Sequence, residues 1–143
     1  MTQNPPNPKS PEDLRYSLAP WFSISDVVKG IQFYKSAFGA KEVYRFEDPG
    51  GGVVVRLSVS GNEFWLSAES ATPSEPDLQP LGGGTIRLIL TVPDPDAVFA
   101  QALKAGATEV FPVGEEHGWR LGRLIDPFGL HWEIGHELAK SSE

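Results

Sequence analysis

No cysteine occurs among the 143 residues of this chain. Disulfide bonds, thiolate metal sites and cysteine nucleophiles are therefore excluded, and the composition is compatible with a reducing compartment. The sequence also has no apolar run long enough to cross a bilayer, and its polar, proline-rich start does not resemble a signal peptide. We therefore expect a soluble, cytoplasmic protein without a membrane anchor.

Basic residues are in the minority, with 12 Lys and Arg against 19 Asp and Glu, a net charge of -7. Because nucleic-acid binding depends largely on clustered basic side chains, this balance argues against a nucleic-acid partner. A chain of this length corresponds to one domain, or to two half-sized modules that share a core.

One stretch of the sequence occurs twice. Residues 39–44, GAKEVY, return 67 positions later as residues 106–111, GATEVF, and the same offset relates Arg56 to Arg123 and Trp65 to Trp132. A long period repeated once indicates two copies of one supersecondary unit rather than a solenoid. Any shared site is then expected between the two copies.

Each copy is predicted to contain one helix and four strands. In the first copy Asp26 is a suitable N-cap, apolar residues recur at helical spacing as far as Phe38, and Gly39 is a typical helix stop. The second helix is predicted from Asp94 to Lys104. Predicted strands cover residues 18–25, 41–47, 53–60 and 63–69, then 85–92, 108–113, 119–125 and 130–134.

The domain organisation follows from these elements. We predict a proline-rich arm at residues 1–17, a first βαβββ module at 18–69, a linker at 70–84, a second βαβββ module at 85–136 and a tail at 137–143.

Strand alternation predicts which side chains share a face. Arg87 and Glu133 are expected to point away from the helix of their module. The 67-residue repeat maps Glu133 onto Leu66, and counting back from the helix-opening residues Asp26 and Asp94, which are 68 apart, maps Arg87 onto Ala19. These four residues should therefore face whatever the sheets enclose. Trp65 and Trp132 are expected to pack beneath the helices.

Three motifs in order carry a resemblance to a known family. FYKSAFGA at residues 33–40 follows Ser25 and Asp26, VPD at 92–94 leads the second helix, and DPFGLHWEI ends the second module at 126–134. Together they resemble the glyoxalase, bleomycin-resistance and dioxygenase superfamily, also called vicinal oxygen chelate proteins, over about residues 18–135. The resemblance implies an α+β fold of two paired βαβββ modules, a cupped, incomplete eight-stranded barrel, and usually a homodimer.

The chain departs from the metal-binding members of that family. Those members supply His, Glu or Gln ligands from the four positions that face the cup, whereas here only Glu133 could coordinate a metal. Arg87 would place a positive charge beside the cation, and one carboxylate does not hold a catalytic metal. We therefore expect no metal and no cofactor, unless His131 and Glu133 form a displaced site.

The candidate site residues have structural explanations as well. Arg87 and Glu133 could simply pair across strands, since buried charges need partners. His131 could be a hydrogen-bonded wall residue instead of an acid or base. The residues that we predict to contact a ligand are Trp21, Leu66, Arg87, Trp119, His131 and Glu133.

Three functions are compatible with these residues. The favoured hypothesis is metal-independent binding of a small molecule, aromatic or anionic, in a dimeric cup. The alternative is a metal-dependent glyoxalase, lyase or dioxygenase with an incomplete or displaced metal site, so whether the chain is an enzyme stays open. The third is an interaction module whose cup is filled by its own side chains.

Overall fold

The computed structural model describes residues 16–69 and 86–139. The predicted linker, and most of the predicted arm and tail, lie outside these ranges. The first module contains β1 (Trp21–Ile24), α1 (Val27–Phe38), β2 (Lys41–Glu47), β3 (Val53–Val59) and β4 (Asn62–Ala68). The second contains β5 (Arg87–Thr91), α2 (Pro95–Ala105), β6 (Thr108–Glu116), β7 (Trp119–Ile125) and β8 (His131–Glu137).

Both modules have the same sheet topology. The strand orders are β1-β4-β3-β2 and β5-β8-β7-β6, with the first pair of each sheet parallel and the other pairs antiparallel. The predicted α+β fold of paired βαβββ modules is therefore confirmed. Within the described ranges the eight strands form two separate four-stranded sheets, so the barrel is open.

Equivalent residues begin and end the two helices. Asp26 accepts a hydrogen bond from the Lys29 backbone N–H at 3.1 Å, and Asp94 accepts one from Ala97 at 3.2 Å. Such side-chain caps satisfy backbone donors that have no partner within the helix. Gly39, at φ 71°, takes the left-handed conformation that ends α1 at little steric cost. Neither helix of the described ranges has the length and apolar character needed to cross a membrane.

The helix-facing sides of the two sheets meet in one aromatic core. Trp132 of β8 lies 5.9 Å from Tyr34 and 4.8 Å from Phe38, measured between ring centroids, and both partners belong to α1. Phe22 of β1 meets the same indole edge-on at 6.2 Å. The opposite faces of both sheets therefore point away from this shared core. We call them the first cup face (β1 to β4) and the second cup face (β5 to β8).

A buried carboxylate joins the modules inside this core. Asp126, 3% exposed, accepts hydrogen bonds from the Tyr34 hydroxyl at 2.6 Å and from Trp132 Nε1 at 2.9 Å. The backbone N–H groups of Phe128 and Leu130 donate to its other oxygen at 2.9 and 3.0 Å. Burial, and then the Asp126 charge, raises the pKa of Tyr34, so this hydroxyl remains a donor.

The register between strands corrects one part of the repeat. Leu57 and Leu124 are 67 positions apart, yet they pair with Phe64 and Trp132, which are 68 apart. The second hairpin is therefore one residue longer than the first. The structural counterpart of Glu133 is consequently Trp65 rather than Leu66.

Two predicted orientations are wrong for this reason. Leu66 is fully buried, and its Cδ1 lies 3.3 Å from where a Cβ on Gly30 of α1 would stand. It faces the helix, so the four predicted positions do not all face a common hollow. Trp65 lies on the first cup face instead of in the core, while Trp132 is buried as predicted.

Candidate functional site

The first cup face carries a cluster of aromatic rings. Trp21 of β1 stacks on Trp65 of β4 with centroids 5.6 Å apart and an interplanar angle of 17°, and Tyr44 of β2 meets Trp65 edge-on at 5.6 Å. Trp21 remains 54% exposed, although its Nε1 donates to Ser67 at 2.8 Å. The fixed indole therefore offers an open flat surface on which another ring can stack.

Arg56 of β3 lies against this aromatic cluster. Its guanidinium carbon is 5.1 Å from the Trp65 ring centroid and 5.7 Å from that of Tyr44, within the range of cation–π attraction. Its Nε lies 3.4 Å from a Glu63 carboxylate oxygen. The carboxylate offsets the positive charge, so the first cup face is aromatic rather than strongly cationic.

The second cup face carries charged and polar groups. Arg87 of β5 and Glu133 of β8 form an ion pair at 3.0 Å, with side chains 53% and 15% exposed. The cross-strand partnership that the sequence left open is therefore present. Contact of either residue with a ligand stays a prediction.

His131 is held by Arg123 of β7. The Nε and Nη2 atoms of the arginine lie 3.1 and 2.9 Å from His131 Nδ1. A guanidinium can only donate, so Nδ1 must accept, and the imidazole is neutral with its proton on Nε2. Burial, and then the charge of Arg123, lowers the pKa of His131, consistent with a neutral ring at neutral pH.

Trp119 lies toward the other end of the same face. It is half-buried on β7, four positions from Arg123, and lines a groove of about 490 Å³. Phe111 and Leu121 also line this groove, as do the polar residues Glu115, Glu116 and His117. Residues that alternate along a strand share a face, so this groove continues from the charged group. The second cup face consequently has the Arg87, Glu133 and His131 group at one end and a mainly apolar groove, edged by two glutamates and a histidine, at the other.

Comparisons with known proteins agree with this architecture. The family model of the Glyoxalase/Bleomycin resistance protein/Dioxygenase superfamily matches residues 22–134. The chain belongs to this superfamily. An uncharacterized Mycobacterium bovis protein, Mb0911c, is 36% identical over 134 residues, which cover 87% of this chain and 85% of that protein.

Solved structures of other proteins have a similar fold. The Arabidopsis thaliana AT5G48480 gene product is similar with a TM-score of 0.67 and 28% identity, covering 86% of this chain and all of that one. The Listeria monocytogenes fosfomycin resistance protein FosX aligns with a TM-score of 0.68 over 87% of this chain and 94% of its own, at 12% identity. At that identity the likeness to FosX shows the fold alone.

The described residues do not fit a catalytic metal of the kind that the family resemblance implies. The register makes Ala19 and Arg87 equivalent, as it does Trp65 and Glu133, and only Glu133 of these four could be a metal ligand. His131 Nδ1 already accepts from Arg123. Within residues 16–69 and 86–139 no group of three or more His, Asp and Glu side chains could hold a metal ion.

The structure places five of the six predicted site residues on the cup faces, buries the sixth, Leu66, against α1, and adds others. Trp21 lies on the first face, and Arg87, Trp119, His131 and Glu133 lie on the second. Sequence reasoning missed Tyr44, Arg56, Trp65 and Arg123 as members of these faces. The repeated Arg-Leu pair was the available signal for Arg56 and Arg123, because the neighbouring leucines are fully buried and the arginines must therefore point the other way.

Proposed function

We propose that this protein binds a small molecule, without a metal, in a cup formed by two copies of the chain. The first cup face of one copy would oppose the second cup face of the other, because within a single chain both faces lie on the sides of their sheets opposite the shared aromatic core. The observation that carries the proposal is that one face bears an open aromatic cluster and the other bears arginine N–H donors, while the described residues contain no group that could hold a metal ion.

The chemistry of the two faces suggests the class of ligand. A flat apolar ring would stack on Trp21 and Trp65, where the indoles are already ordered by stacking and by the bond to Ser67. Arg87 and Arg123 would attract an acidic group from the opposite wall. An aromatic acid satisfies both walls, and 2-naphthoate is a simple probe for it.

Metal content tests the metal-independent part directly. Protein purified without chelators is expected to carry well under one equivalent of Zn, Ni, Mn or Fe by elemental analysis. The reason is that, of the four equivalent positions, Glu133 alone offers a metal ligand. Added metal is expected to leave the melting temperature unchanged. A stoichiometric, tightly held metal would contradict the proposal.

Removing the central indole is expected to weaken ligand binding. Trp65→Ala should lower the affinity for 2-naphthoate by about tenfold or more, because Trp65 stacks on Trp21 and contacts Tyr44. Trp65→Phe, which keeps a ring, is the matched control and should lose less. Isothermal titration calorimetry measures both, and equal affinity in Trp65→Ala and wild type would refute the aromatic wall.

The second copy can be tested at two exposed apolar residues. Ile89 of β5 is 63% exposed on the second cup face, and Val28 of α1 is 64% exposed on the helical side. Ile89→Asp is expected to convert a dimer to a monomer in light scattering coupled to size exclusion, because burying an unpaired carboxylate is costly. Val28→Asp should remain dimeric. A monomeric wild type would contradict the proposal that two copies form the cup.

One observation keeps an enzymatic alternative in view. Neutral His131 and the carboxylate of Glu133 lie on one face, two positions apart, and together could act as an acid and base in a lyase or glyoxalase reaction. Any turnover found in a substrate screen should then disappear in Glu133→Gln. Full activity in that variant would exclude this role for Glu133.

A further inference from the structure

The two modules place an arginine at equivalent positions but give it different partners. Arg56 lies beside Glu63, whereas its counterpart Arg123 binds His131, which occupies the position equivalent to Glu63. A carboxylate offsets the charge of its arginine, but a neutral imidazole does not. No carboxylate of residues 16–69 and 86–139 lies within ion-pair distance of Arg123.

The contact between Arg123 and His131 also determines which ring nitrogen of the histidine carries the proton. Because both short contacts from Arg123 end on Nδ1, the lone pair of that nitrogen is committed and the ring proton stays on Nε2. In the described part of the chain no group accepts from Nε2. The hydrogen bonds at Nδ1 thus fix the orientation of the ring, and Nε2–H is the polar group that remains for a ligand.

The surroundings of His131 disfavour a second proton on the ring. Arg123 and Arg87 both act against the imidazolium, and only Asp126 acts in its favour by charge. Glu133, two positions away on the same face, is already paired with Arg87 at 3.0 Å. The second cup face therefore offers N–H groups from two arginines and one histidine, and the carboxylate of Glu133 is engaged by one of those arginines.

We propose that Arg123 is a positioning residue that fixes His131 as the Nε2–H tautomer, so that the second cup face selects an anionic oxygen group such as a carboxylate over a neutral amide of the same shape. An amide presents an NH₂ group to protein N–H donors that can bind only an acceptor. A donor without a partner in a desolvated site is unfavourable. The selectivity rests on the proposed cup-binding function. The tautomer does not, because it is a property of the free protein.

Long-range ¹H–¹⁵N correlation spectra of the histidine rings test the tautomer without any ligand. At pH 7.5 wild-type His131, assigned by loss of its signals in His131→Gln, is expected to show the neutral Nε2–H pattern. Arg123→Met should give a mixture of tautomers and a pKa nearer the ordinary histidine value, because both the bond and the charge are gone. An Nδ1–H or imidazolium pattern in wild type, or spectra unchanged in Arg123→Met, would overturn the proposal.

Paired ligands test the selectivity. Wild type is expected to bind 2-naphthoate about tenfold or more tightly than 2-naphthamide, a difference of about 1.4 kcal/mol. His131→Leu should reduce that preference several-fold, whereas His131→Gln should largely retain it because its amide can donate from a similar position. Equal binding of the two ligands by wild type would overturn the selectivity.

The outcomes also separate the two proposals. If neither naphthalene ligand binds, the cup-binding function fails and its selectivity fails with it, while the NMR spectra still decide the tautomer. If both ligands bind equally well, the cup function stands and the selectivity does not. A preference for 2-naphthoate that persists unchanged in His131→Leu would assign the discrimination to the arginines alone and overturn the role given to His131.

Discussion

Replacing Asp126 with asparagine is expected to lower the free energy of unfolding by about 3 kcal/mol. The carboxylate is 3% exposed and accepts from two side chains and two backbone N–H groups. Asparagine replaces one accepting oxygen with an NH₂ group, which would face donors from Tyr34 and Trp132 or from the backbone. At least one buried donor then loses its partner.

Thermal unfolding gives the measurement. For a chain of this size a loss of 3 kcal/mol corresponds to a melting temperature lower by about 10 °C. Asp26→Asn is the matched control, because that aspartate is an exposed N-cap and asparagine caps helices equally well, so its effect should stay within about 0.5 kcal/mol. Equal melting temperatures for the two variants would show that Asp126 does not hold the modules together.

A second variant locates the same interaction. Tyr34→Phe removes only the hydroxyl that donates to Asp126 at 2.6 Å, and a loss of about 2 kcal/mol is expected for one hydrogen bond to a charged group. In combination with Asp126→Asn the two effects should fall short of their sum, because both changes remove the same bond. Full additivity would contradict the direct link between the modules.

Local signals predicted the elements well. Asp26 and Gly39 gave the bounds of α1, and the apolar spacing between them is a property of residues close in sequence. The strand at 41–47 and that at 119–125 also coincide with β2 and β7. β8 was predicted to end at Ile134 but continues to Glu137, because pairing with β7 as far as Trp119 extends it beyond its apolar stretch.

Register between strands was not available from the sequence. The 67-residue repeat correctly equates Leu57 with Leu124. It fails across the next turn, where the second hairpin has one more residue. Since side chains alternate at every residue, that single extra position exchanges the faces assigned to Trp65 and Leu66. The inference that this position lacks a metal ligand is unaffected, because neither tryptophan nor leucine coordinates metal.

Local sequence patterns also could not predict which site residues contact one another. Trp21, Tyr44 and Trp65 come from three strands of one sheet, and their contacts depend on which strands are neighbours. Arg123 and His131 lie on adjacent strands of the other sheet. Sequence spacing shows that each residue is on a strand, whereas sheet order and register decide which side chains meet.

Alanine in place of Gly135 is expected to be at least as damaging as the change at Asp126. Gly135 is buried on β8 directly opposite Leu121 of β7, and a Cβ there would lie 2.7 Å from the Leu121 Cα and against the Arg120 carbonyl oxygen. Both are backbone atoms, which a change of side-chain rotamer cannot move. A loss of about 3 kcal/mol or more is expected, because β7 and β8 must separate locally.

This change should also disturb the second cup face, since the same pair of strands carries Arg123 and Glu133. We expect the binding of 2-naphthoate to weaken together with a melting temperature that falls by about 10 °C. Gly114→Ala on β6 is the control, because no atom lies within 4 Å of its added Cβ, and it should be neutral to within about 0.5 kcal/mol. If Gly135→Ala were as stable as Gly114→Ala, the close approach of β7 and β8 at this point would be wrong, and with it the geometry that brings Arg123 to His131.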